Sequence, residues 1–187
     1  MSETENIKNR IIKQTGRILG FHLVGIFVIL VIFYFMLFSM WTIKILEIIL
    51  GFLALIVYGL IMAATAKGIA DKDLLTGQKQ GVFPAKGLVL ACAVVILNLL
   101  IFAAVKVSWA LNAPEGLKLT LQILFFILTL PYNFFLKISG GDISGIGLLL
   151  MILVPYVATG AGYYAGYKKW DIFEKLDRIA FEKKENK

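Results

Sequence analysis

The stretch IGLLLMILVPYVATGAGYYAGY, residues 146–167, contains no charged residue and is long enough to cross a membrane. As a helix rising 1.5 Å per residue it would extend about 33 Å, compared with about 30 Å for the hydrocarbon core of a bilayer. Its small residues recur four positions apart, and such stripes let helix backbones approach closely within lipid. One stripe is Ala158, Gly162 and Gly166, and the neighbouring one is Ala161 and Ala165. We predict a membrane-spanning helix that packs through these stripes.

The composition of the 187-residue chain is that of a membrane protein rather than a soluble domain. Hydrophobic residues make up 59% of it, and the mean hydropathy is +0.84. The bilayer is therefore the expected solvent and partner. The net charge of +7 comes from Lys and Arg at the ends of apolar runs. Since such residues set orientation and meet anionic lipid, we expect no nucleic-acid partner. The single cysteine, Cys92, excludes an internal disulfide and a thiol-rich metal site.

Three earlier apolar runs, residues 20–39, 45–66 and 87–105, are also long enough to cross the membrane. A fourth run, residues 119–136, has 18 residues, but Pro131 interrupts it near its end. Proline removes a backbone donor and breaks a helix, so this run either crosses fully or stops part-way. Hydropathy alone leaves both possibilities open.

Basic residues distinguish the two topologies, because cytoplasmic segments carry an excess of Lys and Arg. Five crossings with an inner N-terminus would place 9 basic residues inside and 10 outside, whereas four crossings place 15 of the 19 inside. The outer side then holds four: Lys44, Lys106, Lys118 and Lys137. We predict an all-α polytopic bundle of four crossings plus one Pro-broken re-entrant or interfacial segment, with five crossings as the alternative. Both termini are predicted to be cytoplasmic, in a multi-pass protein of the cell membrane.

Charge and hydropathy divide the chain into three predicted parts. Residues 1–19 form an amphipathic segment on the cytoplasmic surface, residues 20–167 the transmembrane domain, and residues 168–187 an amphipathic cytoplasmic tail. Small residues within the transmembrane domain predict close helix packing. In the four-crossing topology they all lie in the cytoplasmic half of the membrane. The predicted packing positions are Gly59, Ala63, Gly87, Ala91, Ala158, Gly162 and Gly166.

Two charged residues near the predicted outer face are candidates for an intramembrane ion pair. Glu47 lies about one turn inside the second span, and Lys106 lies at the outer end of the third. An ionisable residue within a membrane is a functional candidate by default. The alternative is that Glu47 pairs with Lys44 while Lys106 reaches the lipid headgroups.

Two amides within apolar runs are the other candidate polar residues. Asn98 falls near the middle of the third span, where it could line a polar path with Gln122 and Thr129 of the Pro-broken segment. Alternatively, Asn98 forms a structural hydrogen bond between helices. The only histidine, His22, lies at the predicted cytoplasmic boundary, where interfacial packing is the expected role.

Reactive residue patterns are missing from the sequence, so we expect no catalytic, cofactor-binding or metal-ligating residues and no enzyme activity. No Ser-His-Asp, Cys-His or zinc-ligand spacing occurs. The predicted polar loop, residues 67–86, lacks the Gly-Lys-Ser/Thr arrangement that cradles phosphates. It contains a possible carboxylate pair, Asp71 and Asp73, for which Lys72 is the simplest counter-charge.

Two stretches resemble small integral membrane proteins of Gram-positive anaerobes. The first is KGIADKD, residues 67–73, followed by KGL at residues 86–88, and the second is PYV at 155–157 with GYYAGYK at 162–168. Together they cover less than a fifth of the chain. The resemblance implies a bacterial membrane protein and carries no activity or site residue.

These patterns predict a non-catalytic integral membrane protein that acts by helix packing with a membrane partner or with a second copy of itself. The alternative is a membrane transport component, either a small transporter or a substrate-binding subunit such as those of vitamin uptake systems. Such subunits resemble this chain in size, but their first helix is rich in alanine. Here Phe, Ile, Leu and Val dominate residues 20–39.

Overall fold

The computed structural model describes residues 3–39, 44–75, 82–132 and 145–169, and every regular element in these ranges is helical. Within these ranges, five α-helices and one short 3-10 turn follow one another. They are α1 (Glu3–Ser39), α2 (Lys44–Leu75), α3 (Lys86–Ala110), α4 (Glu115–Leu128), the 3-10 turn (Leu130–Tyr132) and α5 (Gly145–Tyr167).

Four of these helices are long and apolar enough to cross a membrane, namely α1, α2, α3 and α5. The fourth helix, α4, has 14 residues and extends about 21 Å, which is less than a hydrocarbon core of about 30 Å. The prediction of an all-α bundle with four crossings and one shorter segment is therefore confirmed.

Local chemistry explains why α4 starts and stops where it does. Asn112 adopts a left-handed backbone with φ 49°, a conformation that asparagine tolerates well, and this residue reverses the chain after α3. Pro114 then caps α4, and Glu115 in the first turn complements the helix dipole. Near the far end, the ring and missing N–H of Pro131 prevent further helix. The chain tightens instead into the 3-10 turn, in which Tyr132 N donates to Thr129 O at 2.8 Å.

Small residues bring α5 against α2 and α3. Gly162 lies against the backbone of Ala63, and a Cβ on Gly166 would be 2.7 Å from the Lys67 carbonyl oxygen. On the α3 side, a Cβ on Gly87 would be 2.7 Å from the Thr159 carbonyl oxygen. Helix α5 therefore occupies a central position, packed closely against both neighbours.

The remaining predicted packing positions lie near the same contacts. Gly59 is 4.0 Å from the Ala158 side chain, measured from an ideal Cβ on the glycine. Ala91 is fully buried on α3. These contacts all join helices of one chain.

The structure differs from the sequence prediction at the N-terminal segment. Residues 3–19 do not form a separate surface helix, because α1 runs without a break from Glu3 to Ser39. Gln14 and Ile18 face other helices, and Ile18 is fully buried. The predicted tail, residues 168–187, lies outside the described residues except for Lys168 and Lys169.

The predicted polar loop is also shorter than expected. Helix α2 continues to Leu75 through the charged residues that were assigned to the loop, and α3 begins at Lys86. The end of α2 and the start of α3 meet at one end of the bundle, beside the start of α1 and the end of α5. We call this the N-terminal end.

Candidate functional site

A buried carboxylate, Asp73, joins all four spanning helices at the N-terminal end. Lys86 Nζ on α3 donates to Asp73 Oδ2 at 2.7 Å, and the Tyr163 hydroxyl on α5 donates to the same oxygen at 2.9 Å. Gln14 Nε2 on α1 donates to Oδ1 at 2.6 Å. The side chains of Asp73 and Lys86 are only 3% and 1% exposed. We call Gln14, Asp73, Lys86 and Tyr163 the Asp73 node.

The ion-pair partner of Asp73 is Lys86, which the sequence did not single out, and the role of Lys72 as counter-charge of the Asp71 and Asp73 pair stays a prediction. Lys72 points outward and is exposed, whereas Lys86 is the first residue of α3 and is buried beside the carboxylate. A charge taken out of water needs a partner and further hydrogen bonds to be tolerated. The node supplies both, with one amine, one hydroxyl and one amide around the carboxylate.

An apolar layer lies directly inside the node. Ile18 is four residues beyond Gln14 on α1, and Leu90 is four residues beyond Lys86 on α3. Ile69 on α2, four residues before Asp73, completes the layer, and all three side chains are at most 1% exposed. The apolar layer consists of Ile18, Ile69 and Leu90.

Beyond the apolar layer, three ring side chains from three elements form a second polar group. His22 Nδ1 on α1 lies 2.7 Å from the Tyr58 hydroxyl on α2, and their ring centroids are 5.7 Å apart. Tyr132 of the 3-10 turn packs edge-on against Tyr58, with centroids 5.8 Å apart. All three side chains are fully buried. We call His22, Tyr58 and Tyr132 the aromatic cluster.

The aromatic cluster lies at an intermediate depth in the membrane-spanning region. His22 is eight residues, or about 12 Å, beyond Gln14 along α1, and Tyr58 is fifteen residues, or about 22 Å, from Asp73 along α2. The position of His22 at the membrane boundary stays a prediction, and the structure shows that its side chain is packed inside the bundle. Its ring points into the bundle, because Gln14, Ile18 and His22 recur four apart on one face of α1.

Asn98 lies at a similar depth on α3, twelve residues or about 18 Å from Lys86. It is 2% exposed, and neither its Oδ1 nor its Nδ2 has a hydrogen-bond partner in the part of the chain that the structure describes. The hydroxyl of Thr159, fully buried on α5, has none there either. A structural hydrogen bond from Asn98 to another helix is not present among these residues.

The predicted polar path of Asn98 with Gln122 and Thr129 is not assembled. Gln122 is exposed on the outer face of α4, and the Thr129 hydroxyl donates to the Phe125 carbonyl oxygen at 2.7 Å. Asn98 lies in the middle of α3 and is buried, as the sequence suggested, whereas Gln122 faces away from the bundle.

The predicted pair of Glu47 and Lys106 stays a prediction. The side chain of Glu47, in the first turn of α2, lies outside the described part of the structure. Lys106 is exposed, and its Nζ lies 5.9 Å from the centroid of the Phe102 ring. These surroundings are compatible with the alternative that Lys106 extends toward the lipid headgroups.

The sequence contained a signal for the buried polar groups. On α1, polar Gln14, apolar Ile18 and polar His22 share one face, and on α2 the buried Asp73, Ile69 and Tyr58 also lie close to one face. A helical face that alternates polar and apolar residues by turn indicates layers inside a bundle. Contacts between polar side chains depend on how the neighbouring helices are placed. The spacing of residues along one helix does not predict which side chains meet.

No protein-family model, curated protein or solved structure matches this chain.

Proposed function

We propose that this protein is a non-catalytic integral membrane protein of the bacterial cell membrane that works in transport, holding a small polar solute inside its helical bundle. The observation that carries the proposal is Asn98, a buried amide at mid-depth whose two polar atoms have no partner among the described residues. Asparagine inside a membrane bundle usually bonds to a neighbouring helix. An amide without such a bond is therefore a candidate for contact with a solute.

A buried amide without a hydrogen-bond partner lowers the stability of the folded protein. A buried polar group without a partner costs about 1–3 kcal/mol of stability, and the hydrocarbon around the bundle supplies no water to relieve it. An asparagine side chain offers two donor hydrogens and one acceptor oxygen. A bound solute with complementary groups would remove this cost, so the amide favours an occupied interior.

The Pro-broken segment supports the same function. The 3-10 turn after α4 packs its Tyr132 against Tyr58, well inside the span of α2. Irregular backbone at this depth is tolerated where protein shields it or where it lines a polar cavity. Interrupted helices near the midplane are also a recurrent feature of solute sites in transporters.

The alternative role, docking on a membrane partner or a second copy, rested on the small-residue stripes, of which the first is occupied within the chain and only the second, with Ala161 exposed, is open. Gly162 and Gly166 pack on α2, and Gly87 packs on α5, so these small residues join helices of one chain. They leave no small-residue surface for another protein on those faces. We therefore favour transport over partner docking.

The orientation that accompanies this proposal follows from charge. With the N-terminal end in the cytoplasm, 15 of the 19 Lys and Arg residues lie on the cytoplasmic side. The Asp73 node then lies near the cytoplasmic face, and the turn between α3 and α4 faces outward.

Purification in mild detergent followed by native mass spectrometry tests the function. We expect a monomer that carries a small polar molecule in the wild type and in Gln122→Leu, whose amide is exposed, but not in Asn98→Leu. Since Asn98→Leu removes an unpartnered buried group, its thermal midpoint should equal or exceed that of the wild type. That stability separates lost binding from unfolding. A stable complex with another protein or a homo-oligomer, without any bound small molecule, would instead favour the packing role.

A further inference from the structure

Pro155 divides α5 into two segments that are held in different ways. It lies inside the helix and is buried. Because a proline has no backbone N–H, Pro155 cannot donate to the carbonyl oxygen of Met151, four residues earlier, and its ring crowds the same carbonyl. Sharp bends in helices occur mostly at such positions. We call residues 145–154 the outer segment of α5 and residues 156–167 the inner segment.

The inner segment is fixed by close contacts with both neighbouring helices. Gly162 lies against the backbone of α2, and a Cβ on Gly160 would overlap the Leu88 side chain of α3. The Tyr163 hydroxyl donates to Asp73 Oδ2 at 2.9 Å, which joins this segment to the Asp73 node. Close packing and hydrogen bonds of this kind are what hold helices together in lipid. The inner segment therefore forms one body with α2 and α3.

The outer segment is held by a different kind of contact. Its sequence is GIGLLLMILV, so none of its side chains carries a polar group. Met151 is fully buried, and Leu150 and Val154 pack against the apolar core of the bundle. Lipid tails are as apolar as these side chains, so replacing contacts with helices by contacts with lipid costs little free energy. The outer segment can therefore move away from its neighbours more easily than the inner segment can.

Asn98 lies level with the outer segment. Leu88 on α3 lies beside Gly160 on α5, and the two helices run in opposite directions from the Asp73 node. Ten residues beyond Leu88 is Asn98, and ten residues before Gly160 is Leu150, in the outer segment. Asn98 also shares the side of α3 that faces α5 with Gly87, because the eleven residues between them make about three turns. Movement of the outer segment would therefore open the bundle beside the Asn98 amide.

We propose that Pro155 is a hinge in α5, about which the outer segment swings relative to the fixed inner segment and so opens and closes the bundle beside Asn98. The role of this motion, which is to admit a solute from the outer side, rests on the proposed transport function. The motion itself does not, and it can be measured without any solute. A few residues that absorb the change in backbone angles are a common basis for opening and closing in proteins.

Distances between spin labels test the hinge in the full-length protein in lipid nanodiscs. Phe27 on α1 is exposed and serves as the common reference position. Its partners on α5 are Leu149 in the outer segment and Ala161 in the inner segment, both of which are exposed. Each pair is made by cysteine substitution in a Cys92→Ala background and measured by double electron–electron resonance. We expect a broader distance distribution for the Leu149 pair than for the Ala161 pair.

Two variants connect the breadth of the distribution to the proline. Leu149 is six residues, or about 9 Å, from Pro155, so a change of about 20° in the bend displaces it by about 3 Å. Pro155→Ala restores the backbone donor to Met151 and should narrow the Leu149 distribution to the width found at Ala161. Val157→Ala is the matched control, because Val157 is exposed on the same helix, and it should leave both distributions unchanged. The Ala161 pair in each variant reports whether that variant is folded.

Two results would overturn the inference: equal widths for the two pairs in the wild type, or a Leu149 distribution as broad in Pro155→Ala as in the wild type. If a solute co-purifies with the wild type in an Asn98-dependent manner while the two widths are equal, the transport function stands and the hinge fails. If the Leu149 distribution is broad and depends on Pro155 while no solute co-purifies, the hinge stands and the transport function fails.

Discussion

At Gly162, α5 touches the backbone of α2 so closely that an added Cβ would overlap the Ala63 carbonyl group. A flexible side chain could move aside from such an overlap, but a helix backbone cannot do so without shifting the whole element. Gly68, on α2, is different, because an added Cβ there would meet nothing within 4 Å. The same substitution should therefore have opposite effects at these two glycines.

We predict that Gly162→Ala lowers the thermal midpoint of the monomer in mild detergent, by an amount that corresponds to about 1–3 kcal/mol of overpacking. Gly68→Ala should leave the midpoint unchanged or raise it, since alanine is the better helix former by roughly 0.5–1 kcal/mol. The monomer peak in size-exclusion chromatography, measured after heating, gives both midpoints. Equal midpoints for the two variants would show that α5 does not pack on α2 as described.

The sequence predicted the role of small residues well, because glycine and alanine within an apolar run mainly serve close helix packing. Small residues four apart in an apolar run predicted close packing, and the structure places Gly162 against Ala63. Polar residues were harder, because their role depends on the helix opposite. Asn98 was singled out correctly as buried and polar, but nothing in its sequence neighbourhood showed that Gln122 would face outward.

At the scale of helices, the Asp73 node is the point where four elements depend on one another. Asp73 lies in the last turns of α2 and accepts hydrogen bonds from α1, α3 and α5. Its neighbour Asp71 lies two residues earlier on α2 and takes part in none of these bonds. The two aspartates therefore allow a test of the node within one turn of the same helix.

We predict that Asp73→Asn destabilises the folded protein by about 3–5 kcal/mol, because it leaves Lys86 buried without its counter-charge. Asp71→Asn should change stability by no more than about 0.5 kcal/mol. Adding Lys86→Met to Asp73→Asn should recover most of the loss, since the buried charge is then gone as well. Chemical unfolding in detergent measures all three variants, and an equal effect of the two aspartate substitutions would rule out the node as described.

Helix boundaries were predictable where a breaker is present and unpredictable where only composition changes. Pro131 ends α4 and was identified as the interruption. The change from polar to apolar composition near residue 20 suggested a break that does not exist, because Gly16 and Gly20 are isolated glycines that a helix tolerates. Similarly, the charged residues after residue 66 continue α2, and tertiary contacts of Asp73 hold them in the helix.

For the whole molecule, the interior is arranged as successive layers from the N-terminal end: the Asp73 node, the apolar layer, and then the aromatic cluster at a depth similar to that of Asn98. This arrangement requires an even number of crossings. Only then do the N-terminal part of α1 and the C-terminal end of α5 both lie beside the junction of α2 and α3. It also requires α4 to stop part-way, so that the 3-10 turn can bring Tyr132 to Tyr58. A fifth crossing would carry this segment through the membrane and separate the two chain ends.

The most direct test is therefore the sidedness of three single cysteines introduced in a Cys92→Ala background and labelled with a membrane-impermeant thiol reagent. The positions are Lys8→Cys near the start of α1, Asn112→Cys in the α3–α4 turn, and Lys168→Cys after α5. We expect Lys8→Cys and Lys168→Cys to react only from the cytoplasmic side and Asn112→Cys only from the outside. Reaction of Lys8→Cys and Lys168→Cys from opposite sides would contradict the four-crossing bundle, and with it the polar interior proposed to hold the solute.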